Sequence, residues 1–192
     1  MKPAVFLDKD GTLLDDVPYN VDPARMRLAA GARDALATFA RMNVPVVVIS
    51  NQSGVALGKF AEAALVDVER KLHALAAECG ARLAGVYWCP HHPQGTVTRY
   101  ACACDCRKPA PGMIQRAARE LGLDLQRSWF VGDILDDIEA GHRAGCRAVL
   151  IDNGNETLWQ RGPLREPDAI AKDMSEAARI IGRAWHETEI AT

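Results

Sequence analysis

The stretch VFLDKDGTLLDD sets Asp8 at the end of an apolar run and Asp10 two residues further on, just before Gly11. If strand geometry persists, a two-residue period sends both carboxylates to one side and Lys9 to the other. Two carboxylates at a strand tip offer hard oxygen ligands for Mg²⁺, and one of them can also attack an electrophile covalently. Alone, the same residues would equally make an Asx turn. Two other stretches stand beside them. VVVISNQSG ends in Ser50, Asn51, Gln52 and Ser53, hydroxyls and amides suited to a phosphate, and Gly54 lets backbone approach one closely. FVGDILDD delivers another carboxylate, Asp133. Joint occurrence at the tips of three apolar runs favours a site over three unrelated turns.

A second constellation lies between residues 89 and 106. Cys89 and His91 stand two apart in CPHHP, and ACACDCRKPAPGM carries Cys102, Cys104 and Cys106 at alternate positions. One Cys-x-His with one Cys-x-Cys supplies three thiolates and an imidazole, the ligand set of a closed, structural Zn²⁺ site. Spacing alone leaves open which of the three downstream cysteines stays out. The intervening loop holds little apolar material, so a metal staple would order it. Cys79 and Cys146, alone in apolar surroundings, read as packing residues. Arg107 and Lys108 follow the last cysteine at once, so a fixed backbone would aim both. The planar fork of Arg107 suits a bidentate grip on an anionic group.

Elements to position these groups are legible. Short β-branched runs at 4–8, 44–50, 85–89, 128–133 and 147–152 alternate with helical patterns near 31–42, 60–79, 111–121 and 135–144, and a last helix covers about 174–185. That alternation predicts an α/β, Rossmann-like, doubly wound parallel sheet, with ligands at the C-terminal edge of the strands. Pro111 suits a first helical turn, and Gly80, Gly122 and Gly145 stand where helices should stop. The 192 residues are expected to form one domain, 1–192, with no large cap. Twenty-three Lys and Arg against 25 Asp and Glu give a net charge of −2, without a basic stripe for nucleic acid or an anionic membrane. No apolar run reaches the length of a signal or membrane-spanning segment, so a cytoplasmic protein is expected. In that reducing compartment the six cysteines are thiols or metal ligands. The segment 153–173 has no assigned role. Its Leu158 and Trp159 would serve a subunit contact, yet isolated apolar residues are ordinary and a monomer is expected.

Asp8 to Thr12, Ser50, Lys108 and the Gly-Asp pair ending at Asp133 together resemble the four motifs of the haloacid dehalogenase superfamily of phosphatases. The likeness spans about residues 4–145 and implies strand order 3-2-1-4-5. It implies that Asp8 is the nucleophile, Asp10 the general acid and then base, and that Ser50 and Lys108 hold the phosphoryl group. Mg²⁺ would bind Asp8, the Asp10 carbonyl and Asp133, with Asp137 behind them. CPHHPQGTVTRYACACDCRKPAPGM is similar to the zinc loop of D-glycero-D-manno-heptose 1,7-bisphosphate phosphatases. That likeness assigns zinc to Cys89, His91, Cys104 and Cys106, gives Arg107 a second phosphate, and puts Asp16 and Tyr19 on the sugar. It implies hydrolysis of the 7-phosphate of the heptose bisphosphate, a small-molecule substrate on the way to lipopolysaccharide or S-layer sugars. Histidinol-phosphate phosphatases share the zinc loop and form the alternative, and a non-enzymatic zinc module is disfavoured by the complete acid set. The chain departs from the heptose pattern at Lys9, Leu14, Ser50 and Ile134.

Overall fold

β-Branched residues are stiff at χ1 and fit a pleated surface, and in this chain they sit in runs too short for helices. The computed structural model describes residues 1–190. Its strands are β1 (Val5–Leu7), β2 (Val46–Asn51), β3 (Leu83–Cys89), β4 (Trp129–Gly132), β5 (Arg147–Ile151) and β6 (Ala169–Ala171). They form one parallel sheet in the order β3-β2-β1-β4-β5-β6. The expected order is therefore correct for five strands and extended by a sixth. β6 escapes sequence reading because AIA is three residues long with no β-branched run, and only pairing of Ala169 with Val149 makes it a strand.

Alternation along the strands distributes the core between two faces. Val5, Leu7, Val46, Val48 and Val131 face one side, with Leu36 and Phe39 of α1 (Ala32–Arg41), Val68 and Leu72 of α2 (Leu65–Ala77) and Ile181 of α5 (Met174–Ile190). Phe6, Val47, Ile49 and Phe130 face the other, with Met113 and Ile114 of α3 (Gly112–Leu121) and Ala140 of α4 (Leu135–Ala144). A sheet covered by helices on both sides buries its strands completely, which is why β1 and β4 have no exposed residue. Pro111 caps α3, and Gly122 and Gly145 end α3 and α4 in the left-handed conformation. The second helix starts later than its apolar pattern suggests, at Leu65, after a short 3-10 turn at Glu62–Ala64. Among the described residues, no helix is long and apolar enough to cross a membrane.

The register fixes what meets at the C-terminal edge. Val5 pairs with Val46 on one side and Trp129 on the other, and the Asp8 amide extends the ladder to the Val131 carbonyl at 2.9 Å. The first residues beyond β1 and β4, Asp8 and Asp133, thus leave the sheet side by side.

Candidate active site

Immediately after Leu7 the chain stops being a strand. Leu14 donates to the Lys9 carbonyl and Gly11 to the Leu14 carbonyl, both at 2.8 Å, folding residues 9–14 into a tight loop. The two-residue period therefore does not carry past Asp8. Lys9, expected to point away, is buried, and its ammonium pairs with Asp10 Oδ1 at 2.5 Å. Gly11 has φ +81°, and a Cβ there would come within 2.1 Å of Asp133 Oδ2, so this position excludes any side chain.

Asp8, Asp133 and Asp137 bring one oxygen each within 4.8 Å of one another, all three buried. Lys108, also buried, hydrogen-bonds Asp8, reaches the Ile49 carbonyl at 3.2 Å and lies 2.7 Å from Asp137 Oδ1. That last contact is an ion pair rather than an aligned hydrogen bond, and Asp137 Oδ1 has no hydrogen-bond partner among the described residues. Asp137 Oδ2 faces the amides of Asp133 and Ile134 at the start of α4, at 3.3 and 3.4 Å. Burial first, and then the charge of Asp8, pushes the Asp133 carboxyl up to about 6. Burial likewise lifts Asp137 to about 7 against the pull of Lys108. Burial opposes charge on Lys108, but Asp137 and Asp8 outweigh it and hold its pKa above the ordinary value. Three buried carboxylates around a single ammonium leave unbalanced negative charge, and with three oxygens converging the donor set fits a hard divalent cation.

Asp10 is not part of this acid cluster through its side chain. Its carboxylate accepts from Gln52 Nε2 at 3.2 Å and from Lys9. Burial raises its pKa, the Lys9 charge lowers it, the Asp8 charge raises it again, and the net shift is upward. A cavity of about 230 Å³ opens here, walled by Asp8, Asp10, Asp16, Ser50, Lys108 and Asp133, with Ile134 and Asn155 at the same wall. A larger cavity, of about 470 Å³, lies at the opposite sheet edge beside Lys2, Trp129 and Arg147, away from both candidate metal clusters.

The residues expected to bind substrate divide into two groups. Ser50 and Asp16 line the cavity. Asn51 lines it too, but its side chain clamps the Lys108 backbone, accepting from the amide at 3.0 Å and donating to the carbonyl at 3.1 Å. Gln52 donates to Ser50 at 2.9 Å as well as to Asp10. Arg107 donates to the Ser53 hydroxyl at 3.0 Å and to the His91 carbonyl at 3.4 Å. Tyr19 stands outside the cavity wall, half exposed, with Lys59 Nζ 5.8 Å from its ring centroid. Asn155 was missed, because nothing in DNGN distinguishes it from a turn.

Beside this site Cys89, His91, Cys104 and Cys106 converge. Cys106 Sγ is 3.2 Å from both Cys89 and Cys104 and 3.3 Å from His91 Nδ1, and Cys89 lies 3.6 Å from Cys104. A tetrahedron with Zn–S bonds of about 2.3 Å has sulfur–sulfur edges of about 3.8 Å, so the group is close to the right size. Geometry also removes the ambiguity among the downstream cysteines, since Cys102 is exposed and outside the group. Burial pushes the Cys89 thiol up and carries Cys106 to about 11, while at Cys104 burial is outweighed by hydrogen bonds from Cys106 and the neighbouring backbone, which draw its thiol down. A cation beside the group would favour the thiolate form of all three.

A family model described as HAD-hydrolase-like matches residues 105–177. The chain is 38% identical over 167 residues to the D-glycero-beta-D-manno-heptose-1,7-bisphosphate 7-phosphatase of Escherichia coli strain K12, covering 87% of this chain and 84% of that one. It is 40% identical over 180 residues to the Salmonella typhi protein of the same name, covering 88% and 96%. The crystal structure of D,D-heptose 1,7-bisphosphate phosphatase from B. bronchiseptica, complexed with magnesium and phosphate, superposes with a TM-score of 0.81 at 34% identity, covering 96% of this chain and 99% of that one.

The raised carboxyls give a pH signature. Without a cation, folded Asp133 and Asp137 keep protons that the unfolded chain releases near pH 4, so the cluster's contribution to stability is present at low pH and lost as pH climbs through about 6 and 7. A cation requires the ionised acids and competes with those protons. Scanning calorimetry with and without Mg²⁺ is therefore expected to show a melting-temperature gain that is small at pH 5 and large at pH 8. A gain independent of pH would contradict the assignment.

Proposed function

The chain belongs to the D-glycero-D-manno-heptose 1,7-bisphosphate 7-phosphatase family of haloacid dehalogenase-like hydrolases, and on that premise we propose that it removes the 7-phosphate of this heptose bisphosphate through an aspartyl-phosphate, an acyl phosphate on Asp8. The observation that carries the reading is the cavity in which Asp8, Asp10, Ser50 and Lys108 meet at the tips of three adjacent strands. Asp8 attacks phosphorus as its bond to the sugar oxygen breaks. Asp10, whose raised pKa keeps it protonated more readily than an ordinary carboxyl, gives that oxygen its proton. Asp10, now ionised, then takes a proton from the water that attacks phosphorus of the acyl phosphate, and phosphate leaves with the Asp8 carboxylate restored. Ser50 and Lys108 bind the phosphoryl oxygens as charge grows on them. Asp8, the Asp10 backbone carbonyl and Asp133 are proposed to hold Mg²⁺, which supplies positive charge against the repulsion between carboxylate and phosphate.

We assign structural Zn²⁺ to Cys89, His91, Cys104 and Cys106. In this reading the loop's work is mechanical. Cys106 fixes the chain one residue before Arg107, the His91 carbonyl takes the Arg107 guanidinium, and Asn51 clamps Lys108. Arg107 then presents its fork to the second phosphate of the substrate. Asp16 in the wall and Tyr19 nearby in sequence are left for the sugar. Leu158 and Trp159 are exposed, and a monomer remains our proposal.

The reading is tested by phosphate release from both anomers of the heptose bisphosphate, histidinol phosphate and hexose phosphates. Preference for histidinol phosphate would replace it by the alternative. Asp8→Asn should lower turnover by more than about three orders of magnitude with the melting temperature nearly kept, because the shape survives and the nucleophile does not. Measurable multiple turnover in that variant would remove Asp8 from its role. Cys104→Ser should reduce zinc, measured by elemental analysis, from about one ion per chain to a small fraction and lower the melting temperature. Unchanged zinc refutes the ligand set. Arg107→Ala should raise KM for the bisphosphate by about tenfold or more, the worth of a lost charged hydrogen bond, and leave a monophosphate almost unaffected. Equal losses on both would end its proposed specificity.

A further inference from the structure

The segment joining β5 to β6 reaches across both loops of the acid site. Asn153 Nδ2 donates to the Gly11 carbonyl at 2.7 Å, and Asn153 Oδ1 accepts the Asn155 amide at 3.1 Å. Asn155 Nδ2 donates in turn to Asp133 Oδ2 at 2.7 Å. On the other oxygen of the same carboxylate, Thr12 Oγ1 donates at 3.1 Å. The next residue, Glu156, accepts from the Leu135 amide at 2.7 Å, tying the segment to the first turn of α4, which carries Asp137. Although burial opposes it, this bond and one from the Leu158 amide hold the Glu156 carboxyl below its usual range, so it stays ionised as a tether.

We propose that Asn155 is a positioning residue for the cation site: it orients Asp133 as a ligand and so sets the affinity for the divalent metal, an inference that rests on the metal reading above. A terminal carboxylate torsion is broad and nearly two-fold, so Asp133 is not oriented by its own rotamer preference. One neutral donor on each oxygen fixes the plane of the group, and because a carboxylate oxygen accepts more than one bond, capacity remains for a cation. Partners that hold ligating groups in this way commonly contribute 10- to 100-fold in metal affinity. The fit is close, since a Cβ at Gly11 would lie 2.5 Å from Asn155 Nδ2. Asn155 is itself exposed, outside the hydrophobic core, so its role is separable from folding.

The test uses the full zinc-loaded chain, with Mg²⁺ titrated by isothermal calorimetry into the parent, Asn155→Ala and Asn155→Leu. Both variants should bind Mg²⁺ about 10- to 100-fold more weakly, keep the cation-free melting temperature, and recover kcat when Mg²⁺ is raised to saturation. A purely structural contact would instead lower the cation-free melting temperature, and added magnesium would not restore kcat; that result overturns the proposal. Mg²⁺ affinity within about twofold of the parent in both variants overturns it as well. If the parent itself binds no Mg²⁺, the metal reading fails and takes this inference with it, so the two failures are told apart by the parent alone.

Discussion

Asp8, Asp133, Asp137 and Lys108 are buried side by side at the floor of one cavity, and at such range and burial charges interact far more strongly than they would at the surface. One ammonium cannot offset three carboxylates, and part of the imbalance appears as upward-shifted acids. A buried charge cluster is stable only where each member has a partner. Asp137 meets Lys108 and the start of α4, Asp133 has Thr12 and Asn155, and Asp8 has Lys108. The remaining requirement is positive charge from outside the chain. On this view the affinity for a divalent cation follows from how the acids are buried, and the phosphate site is built around that need.

The rest of the fold can be understood as what holds those groups in register. Parallel pairing of β1 with β4 delivers Asp8 and Asp133 together, and pairing with β2 adds Ser50. Lys108 comes from a loop without much core of its own, and two devices compensate. The Cys and His cluster anchors the chain two residues upstream, and the Asn51 amide fastens the Lys108 backbone to the end of β2. A lysine with a buried ammonium and long rotatable stem needs such anchoring if it is to meet two acids at once.

How much of this was readable in the chain depends on how local each signal is. The five main strands, Asp8 and Asp133 at their tips and the thiol cluster follow from short-range patterns, and the structure brings these together, whereas the Asp10 side chain turns to Lys9 and Gln52 and Asp137 joins the acids instead. Lys9 was misplaced because the strand period was carried two residues too far into a loop closed by hydrogen bonds between Lys9, Gly11 and Leu14. Asn51, expected to contact the ligand, lines the cavity, and its side chain also clamps the Lys108 backbone 57 residues along the chain, a role that short-range patterns do not reveal. β6 and Asn155 were silent for the same reason: each is defined by a partner remote in sequence, Val149 for Ala169 and Asp133 for Asn155. Alternate spacing treats Cys102, Cys104 and Cys106 alike; the likeness to the zinc loop leaves Cys102 out, and the structure groups the same four residues.

The central claim, that the buried acids at the tips of β1 and β4 form one divalent-cation site, is tested most directly by anomalous diffraction from crystals grown with Mn²⁺ in place of Mg²⁺. The account predicts a single strong peak between Asp8 and Asp133, bonded to a carboxylate oxygen of each. Manganese bound only elsewhere, with those two carboxylates unligated, would contradict it.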